Sequence, residues 1–312
     1  MHNDQNNKNY TNADESNTTN ENYHVPVLVH EVLQYLAPKP GEIYVDATFG
    51  GGGHTRAILM AQPRCRVIAI DWDQEALNAH QEAFEREFGD RITFVWGNFA
   101  HIVLLLRKQK IAHVNGIIAD FGTSQHQIFS GRGFSFNDES TLDMRMSPAH
   151  SRVTAAQVVR SASEQTLVEI FKTYGEEPHA RAIARAIVAN RSRKPITTGQ
   201  QLADLVVQTV GGGYHRIHPA TRVFQALRIY VNRELEAIEH FLRQVPQVLA
   251  DGGRLVCISF HSLEDRLVKQ FFQQHANVTR LTPKIVQPSA DEINDNPAAR
   301  SAKLRAGVLH KV

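Results

Sequence analysis

The feature that most constrains this chain is a glycine-rich bend between a strand pattern and a helical pattern. Residues 43–47 predict a short buried strand, glycines occupy 50–53, and residues 54–61 have helical spacing. The alternation repeats, with further strands predicted at 66–71, 92–95 and 115–120 and further helices at 25–36, 74–88 and 99–108. Such alternation is typical of a parallel sheet covered by helices on both faces. We therefore predict a doubly wound, Rossmann-like α/β fold.

A purely helical stretch interrupts this alternation. Helical patterns at 154–160, 164–172, 178–190 and 198–210 follow one another without a strand between them. After it, one long helix is predicted at 221–249, which Pro246 is expected to kink or end. A strand at 254–260, a helix at 263–273 and strands at 277–281 and 304–309 follow. We predict a sheet domain built from residues 23–135 and 219–312, with residues 136–218 inserted as a helical domain.

Composition limits the class of protein. Hydrophobic residues make up 42% of the 312 residues and charged residues 21%, which is ordinary for a soluble globular protein. Residues 1–22 are rich in asparagine and have no apolar period, so we predict a disordered tail there. The chain has neither an apolar run long enough for a membrane helix nor a secretory signal. We therefore expect a cytoplasmic protein with no membrane partner.

Basic residues are concentrated in the later part of the chain. Residues 1–140 hold 11 Lys and Arg against 17 Asp and Glu, whereas residues 141–218 hold 10 against 6 and residues 219–312 hold 13 against 9. This asymmetry suits a protein whose second part contacts a polyanion, although chance alone explains it equally well. His215 and His218 have ligand-like spacing, but no cysteine joins them, so we predict no metal site.

The glycine bend and an acid one strand later predict a nucleoside-containing cofactor. Glycines let the backbone turn sharply and approach a ligand, and the helix that follows presents free N–H groups. Asp71 ends the next strand, where a carboxylate can accept hydrogen bonds from both ribose hydroxyls. A dinucleotide fingerprint would need glycine at Thr55, and the Gly-Lys-Ser/Thr ending of a phosphate loop is missing. A flexible structural turn is the alternative for the glycines.

The third and fourth strands end at two further candidate residues. Phe99 lies where it would cover the adenine ring, and Asp120 closes the fourth strand, shortly before Ser124. The exocyclic amine of a base is a poor nucleophile because its lone pair is delocalised into the ring. Groups that accept its N–H bonds return electron density to nitrogen and align it for attack. Asp120 and Ser124 are therefore the candidate catalytic residues, and a helix-capping carboxylate is the alternative for Asp120.

Seven short motifs carry a resemblance to a known family. In chain order they are His24-Val25-Pro26-Val27-Leu28, Gly52-Gly53-His54, Arg132-Gly133-Phe134-Ser135-Phe136, Leu142-Asp143-Met144-Arg145-Met146, Tyr174-Gly175-Glu176-Glu177, His218-Pro219-Ala220-Thr221-Arg222 and Ile258-Ser259-Phe260-His261-Ser262-Leu263-Glu264-Asp265-Arg266. From about residue 23 to 306 they resemble the bacterial 16S ribosomal RNA cytosine-N4 methyltransferases. The resemblance implies a class I methyltransferase sheet with an inserted helical domain. It also implies S-adenosylmethionine-dependent N4-methylation of a decoding-centre cytidine of 16S rRNA, within the small ribosomal subunit.

The resemblance implies cofactor contacts as well: Gly52, Gly53 and His54 at the methionine end, Asp71 at the ribose, Phe99 near adenine, then Asp120 and Gln127. On the substrate side, Phe134 and Phe136 are expected either to stack on an extruded base or to seal the joint between the domains. His261 is expected to line the cytidine pocket, with capping of the following helix by Ser262 as the alternative. Arg185 and Arg191 either contact phosphate or form a solvated helix face. Assembly as a homodimer is left open.

The loop after Asp120 departs from the family pattern. The family usually has Asp-Leu-Gly-Val-Ser-Ser-Pro-Gln-Leu-Asp, whereas this chain has Asp120-Phe121-Gly122-Thr123-Ser124-Gln125-His126-Gln127-Ile128-Phe129. The second serine and the proline are therefore replaced, and this motivates an alternative function. That alternative is a subunit-assembly factor that binds rRNA with little turnover. A nicotinamide dehydrogenase and a DNA cytosine-N4 methyltransferase rank behind it.

Overall fold

One mixed sheet forms the centre of the molecule. The computed structural model describes residues 26–122, 131–136, 139–211 and 217–311, and the predicted tail at 1–22 lies outside them. The strands within these ranges are β1 (Ile43–Asp46), β2 (Arg66–Asp71), β3 (Ile92–Trp96), β4 (Val114–Asp120), β5 (Leu249–Ser259), β6 (Val278–Arg280) and β7 (Lys303–Leu309). They lie in the order β3-β2-β1-β4-β5-β7-β6. Neighbours from β3 to β5 pair in parallel, and β7 is antiparallel to β5 and β6. The predicted doubly wound α/β fold is confirmed.

Helices alternate with the strands, as the sequence pattern predicts. In chain order they are α1 (Val29–Leu36), α2 (Gly53–Ala61), α3 (Gln74–Phe88), α4 (Ile102–Lys108), α5 (Ala155–Ser161), α6 (Glu164–Gly175), α7 (Ala180–Arg191), α8 (Gly199–Val210), α9 (Thr221–Asn232), α10 (Glu234–Val248), α11 (Ser262–Gln274) and α12 (Ala290–Asp295). Short 3-10 helices cover Gly89–Arg91, Phe99–His101 and Pro297–Ser301. In the described ranges, no helix has the length and apolar character that crossing a membrane requires.

The sheet buries both of its faces. Tyr44 and Val45 are neighbours in β1 and both are fully buried, yet they belong to different hydrophobic clusters. Residues of α1, α2 and α3 pack with Tyr44, whereas residues of α4, α10 and α11 pack with Val45. Because β1, β2 and β4 run in the same direction, their carboxyl ends meet at one edge of the sheet. That edge therefore collects Asp46, Asp71 and Asp120, the last residues of these strands.

A third hydrophobic cluster belongs to the helical part of the chain. It contains buried residues of α5 to α8, and it extends from Leu142 to Val231. Gly175, at the end of α6, lies so close to α9 that an added Cβ would be 2.5 Å from the carbonyl oxygen of Arg222. The helical core thus includes α9, which the sequence analysis assigns to the sheet domain. That 136–218 folds as a separate inserted domain stays a prediction.

The single helix predicted at 221–249 is wrong, because two helices, α9 and α10, occupy this range. Arg233 separates them in a left-handed conformation, with φ 52°. The side chain of Asn232 explains why the break is stable. Its Oδ1 accepts a hydrogen bond from Met146 N, and its Nδ2 donates to Met144 O, each at 2.8 Å. The apolar residues at helical spacing in this range therefore divide between two cores, with Val223, Leu227 and Val231 in the helical core and Ile238 and Leu242 on the sheet. Pro246 does not end α10, which continues to Val248.

Residues 251–253 have the sequence Asp-Gly-Gly, which predicts a turn, yet they lie inside a strand. β5 begins at Leu249, and its pairing with β4 changes register between Leu249 and Arg254. Gly252 has φ +71° there, with nothing near its Cβ position. Extra residues in one strand of a pair form a bulge-like irregularity within that strand, not a turn that joins two strands. The strand predicted at 254–260 is therefore the second half of β5.

Candidate functional site

The glycine bend closes tightly around the start of α2. Gly52 has φ +76°, and a Cβ added there would lie 2.5 Å from a ring atom of Phe84. A Cβ on Gly53 would lie 2.6 Å from the ring of Pro26. Such contacts are shorter than packed atoms tolerate, so the bend requires glycine at both positions. The backbone of the bend thereby lines a cavity at the carboxyl edge of the sheet.

Asp71 ties the bend to the neighbouring strand. Its Oδ2 accepts a hydrogen bond from Gly50 N at 2.7 Å, and its Oδ1 accepts one from Asp73 N at 2.8 Å. Burial raises the pKa of Asp71 to about 7, although these two backbone N–H groups act in the opposite direction. Each carboxylate oxygen has a second lone pair to offer. Because Asp71 lines the same cavity, it can accept hydrogen bonds from a ligand that carries neighbouring hydroxyl groups.

Aromatic rings form one wall of this cavity. Phe99, at the start of a 3-10 helix, is buried with its ring centroid 6.1 Å from that of Trp72. Its other side packs edge-on against Phe241 at 5.5 Å. Phe99 was predicted to lie here, but Trp72 was not. Its position directly after Asp71 could have indicated that it lines the same cavity. Two rings beside a carboxylate suit an adenosine, since the rings can cover the base while the acid holds the ribose.

Asp120 faces the cavity next to a histidine. Its Oδ1 accepts a hydrogen bond from Gly122 N at 3.0 Å, and its own N–H donates to Thr48 Oγ1 at 2.7 Å. Its Oδ2 lies 3.5 Å from Nε2 of His54, and both side chains line the cavity. The structure thus brings five predicted cofactor residues together: Gly52, Gly53, His54, Asp71 and Asp120, with Phe99 beside them. The predicted residues Ser124 and Gln127 lie outside the described part of the chain.

A second cavity adjoins the first. Gly122 lines both of them, and rings of Phe134, Phe136, Phe224 and Phe260 surround the second. Phe136 stacks on His218, with ring centroids 4.5 Å apart and planes 16° apart, and meets Phe224 edge-on at 4.9 Å. Three residues predicted on the substrate side, Phe134, Phe136 and His261, therefore line one cavity. Its aromatic walls suit a flat base.

His261, rather than Ser262, caps α11, so the predicted capping alternative names the wrong residue. The side chain of His261 accepts from Glu264 N, while Glu264 Oε2 accepts from Phe260 N at 2.7 Å. Ser262 instead donates through its hydroxyl to Glu176 at 2.7 Å. The reason is that a histidine Nδ1 can replace the usual hydroxyl oxygen as acceptor in a capping box. Capping and lining the cavity are therefore compatible roles for His261.

Four charged side chains form a cluster between the two cavities, and the sequence analysis misses it. Arg228 binds Glu234 through two hydrogen bonds of 2.9 Å, and His261 Nε2 lies 3.0 Å from Glu264 Oε1. Burial alone would lower the pKa of Arg228, but Glu234 and Glu264 raise it above its ordinary value. Burial raises the pKa of Glu234, and Arg228 opposes this. No local motif marks the cluster, because its members come from three helices and a strand end.

Three residues of this cluster carry side-chain atoms of the kind that bind metal ions. Ligand atoms of Glu234, His261 and Glu264 lie within 4.8 Å of one another. The guanidinium of Arg228 already occupies both oxygens of Glu234, however, so it supplies positive charge that a cation would otherwise bring. The donor set therefore fits a paired ion cluster better than a metal site, and the absence of a metal stays a prediction.

The two predicted phosphate-binding arginines lie away from the cavities, on α7. Nη1 of Arg191 donates to the carbonyl oxygens of Val159 and Ala162, at 2.9 and 2.7 Å, and so satisfies the end of α5. Arg185 is exposed and has Glu164 at 3.7 Å as its ion-pair neighbour. Arg191 therefore has a structural role that the sequence pattern did not indicate, while Arg185 presents its charge to solvent.

Known proteins share this chain's sequence over nearly its whole length. The family described as the MraW methylase family matches residues 21–310. The ribosomal RNA small subunit methyltransferase H of Thermomicrobium roseum is 48% identical over 303 residues, which cover 91% of this chain and 92% of that protein. The protein of the same name from Cyanothece sp. is 50% identical over 283 residues, covering 90% and 93%. A solved rRNA methylase from Streptococcus thermophilus has a TM-score of 0.43 and 13% identity, covering 92% of this chain and 99% of that one, which is too distant to add to the argument. By the family match and by these relatives, the chain belongs to the MraW methylase family.

Proposed function

We propose that this protein transfers a methyl group from S-adenosyl-L-methionine to N4 of a cytidine in the decoding centre of 16S rRNA. The substrate is the small ribosomal subunit, and the protein acts in the cytoplasm. Two relatives named ribosomal RNA small subunit methyltransferase H support the substrate class. The observation that carries the proposal is a buried carboxylate, Asp120, which lines the cofactor cavity and is hydrogen-bonded to Gly122, the residue that lines both this cavity and the aromatic one. That carboxylate can accept N–H bonds from an exocyclic amine.

The residues of the first cavity fit the proposed cofactor. Asp71 has lone pairs free for two ribose hydroxyls, and Phe99 and Trp72 lie where they can cover adenine. The methionine end would lie against Gly50, Gly51 and Gly53, which line the cavity. Glycine is required at Gly52 and Gly53 to form this bend, because an added Cβ would meet Phe84 or Pro26. When bound, S-adenosylmethionine supplies an electrophilic methyl group attached to a positively charged sulfur.

The second cavity holds the base, with Phe134 and Phe136 stacking on it after it leaves its pairing environment. Asp120 accepts a hydrogen bond from the N4 amine, which localises the nitrogen lone pair and directs it toward the cofactor cavity. Gly122 N holds Oδ1 of Asp120 in place, so Oδ2 is the oxygen available to the amine. Ser124 is proposed as a second acceptor for the amine, and Arg185 as an exposed contact for rRNA phosphate.

Methyl transfer to small subunits that lack the modification tests the proposal. The protein, labelled S-adenosylmethionine and such subunits are incubated together, and the rRNA is digested to nucleosides for mass spectrometry. We expect N4-methylcytidine at one decoding-centre position with the wild-type protein, and none when the Asp120→Ala variant is used in its place. Product at another atom or in another RNA would refute the proposed substrate. Binding of the subunit without any methyl transfer would instead favour the assembly factor.

A further inference from the structure

His54 is a buried histidine whose ring nitrogens form no hydrogen bond among the described residues. It is the second residue of α2, only 6% exposed, and it lines the cofactor cavity. Its Nε2 nevertheless lies 3.5 Å from Oδ2 of Asp120. Buried polar atoms are normally satisfied, because leaving one unpaired is costly. The imidazole beside the proposed catalytic carboxylate therefore has a ring nitrogen available to accept a proton.

The charges around His54 act on it in opposite directions. Asp120 on β4 and Asp46 on β1 are the two carboxylates that interact with His54; burial raises the pKa of Asp46, and His54 is the strongest influence lowering it. The positive end of the α2 helix dipole lies at the same place. Three further carboxylates line the cavity, Asp71, Glu234 and Glu264, and the last two are paired with Arg228 and His261.

We propose that His54 receives, through Asp120, the proton released by methylation. This inference rests on the proposed N4 methylation. The lone pair of N4 forms the bond to the methyl carbon as the carbon–sulfur bond breaks and leaves its electron pair on sulfur. N4 then carries one proton more than the neutral product does. Asp120 accepts that proton on Oδ2 while the N–H electron pair returns to nitrogen. The proton then moves to the lone pair on Nε2 of His54, which restores the carboxylate, and the imidazolium releases it to solvent as the product leaves.

The geometry around Asp120 favours transfer of the proton to His54 over the alternative in which Asp120 keeps the proton as a carboxylic acid. Oδ1 is engaged by Gly122 N, which leaves Oδ2 as the oxygen that faces both the amine and His54. Cofactor and base fill the two cavities during the reaction, so water has little access to Asp120. A proton retained on Asp120 would remove the acceptor for the next amine. His54 is thus a relay residue that acts through Asp120 and need not touch the base.

The experiment compares His54→Gln with His240→Gln, whose parent histidine is exposed on α10. Calorimetry measures S-adenosylmethionine affinity, and single-turnover methyl transfer to small subunits is measured from pH 6 to 9. Because His54 also lines the cofactor cavity, His54→Gln should weaken cofactor binding. At saturating cofactor, where this loss no longer matters, we expect the variant still to react at least about tenfold more slowly at pH 7. Its rate should also lose the dependence on pH that a titrating imidazole imposes. His240→Gln should match wild type in every measurement.

Two further measurements separate proton transfer from a structural role. Imidazole added to His54→Ala should restore part of the rate, whereas pyrazole, which has the same size but is far less basic, should not. The second measurement keeps His54 and records ¹⁵N spectra of its ring. The ring should be less protonated at pH 7 when Asp120→Asn removes the neighbouring charge. This measurement remains possible even if His54 variants fail to fold.

Three results would overturn the relay: a His54→Gln rate and pH profile equal to wild type, equal rescue by both azoles, or a His54 ring unaffected by Asp120→Asn. If wild type itself makes no N4-methylcytidine, the proposed function fails instead. The two failures are therefore distinguishable.

Discussion

The affinity for S-adenosylmethionine should depend on pH through Asp71. Burial raises the pKa of this carboxyl to about 7 in the free protein. Ribose hydroxyls donate hydrogen bonds, so they bind the ionised carboxylate, which dominates above that value and disappears below it. The ionised fraction is about nine-tenths at pH 8 and about one-tenth at pH 6, and the apparent Kd scales inversely with the competent fraction. The Kd should therefore rise about tenfold when the pH falls from 8 to 6.

Calorimetry in two buffers of different ionisation enthalpy tests this reasoning. At pH 7, binding should release about half a proton from Asp71, in addition to any proton exchanged by the amino group of the cofactor. Asp71→Asn provides the control, because the cofactor's own titration is the same in both proteins. The variant should bind more weakly at every pH, and its Kd should lack the tenfold change. A wild-type Kd that runs parallel to that of the variant between pH 6 and 8 would refute the assignment of Asp71.

Three further predictions follow from the same contacts. Asp120→Ala should lower single-turnover methyl transfer at saturating cofactor by about 10²-fold or more, a much larger effect than the rise in the calorimetric Kd for the cofactor. An equal loss in affinity and rate would contradict a role in the reaction. Gly53→Ala places a Cβ 2.6 Å from Pro26, so the start of α2 must shift and cofactor affinity should fall. Met60→Ala, at an exposed position of the same helix, should retain the affinity. Asn232→Ala leaves Met146 N and Met144 O buried without their partner, and should lower the free energy of unfolding by roughly 2–4 kcal/mol. Denaturant unfolding measures this loss, with the exposed Asn78→Ala as the control. Equal unfolding midpoints for the two variants would refute the prediction.

Local patterns predicted the parts of the fold that local interactions determine. The bend at 50–53 and the strand that ends at Asp71 lie at their predicted positions, and the helices of the helical core begin within two residues of theirs. The break at Arg233 could not be predicted, because residues 221–249 have a continuous helical pattern and the break depends on Asn232 binding a loop about 90 residues earlier in the chain. The cap at His261 was missed for a related reason. Serine is the more common cap, and only the three-dimensional position of Glu176 directs Ser262 elsewhere.

The ion cluster between the cavities explains why that unpredictable break matters for function. Arg228 belongs to α9, which packs in the helical core, whereas Glu234 begins α10 and Glu264 lies in α11, which both pack on the sheet. A continuous helix would carry residues 228 and 234 on different faces, since six residues amount to well over one turn but less than two. The left-handed residue Arg233 between them allows the guanidinium to meet both carboxylate oxygens. Arg228 and His261 line the base cavity, while Glu234 and Glu264 line the cofactor cavity. The Arg228–Glu234 pair therefore crosses the boundary between the two walls. The break at Arg233 matters because it places one ion cluster in the walls of both cavities.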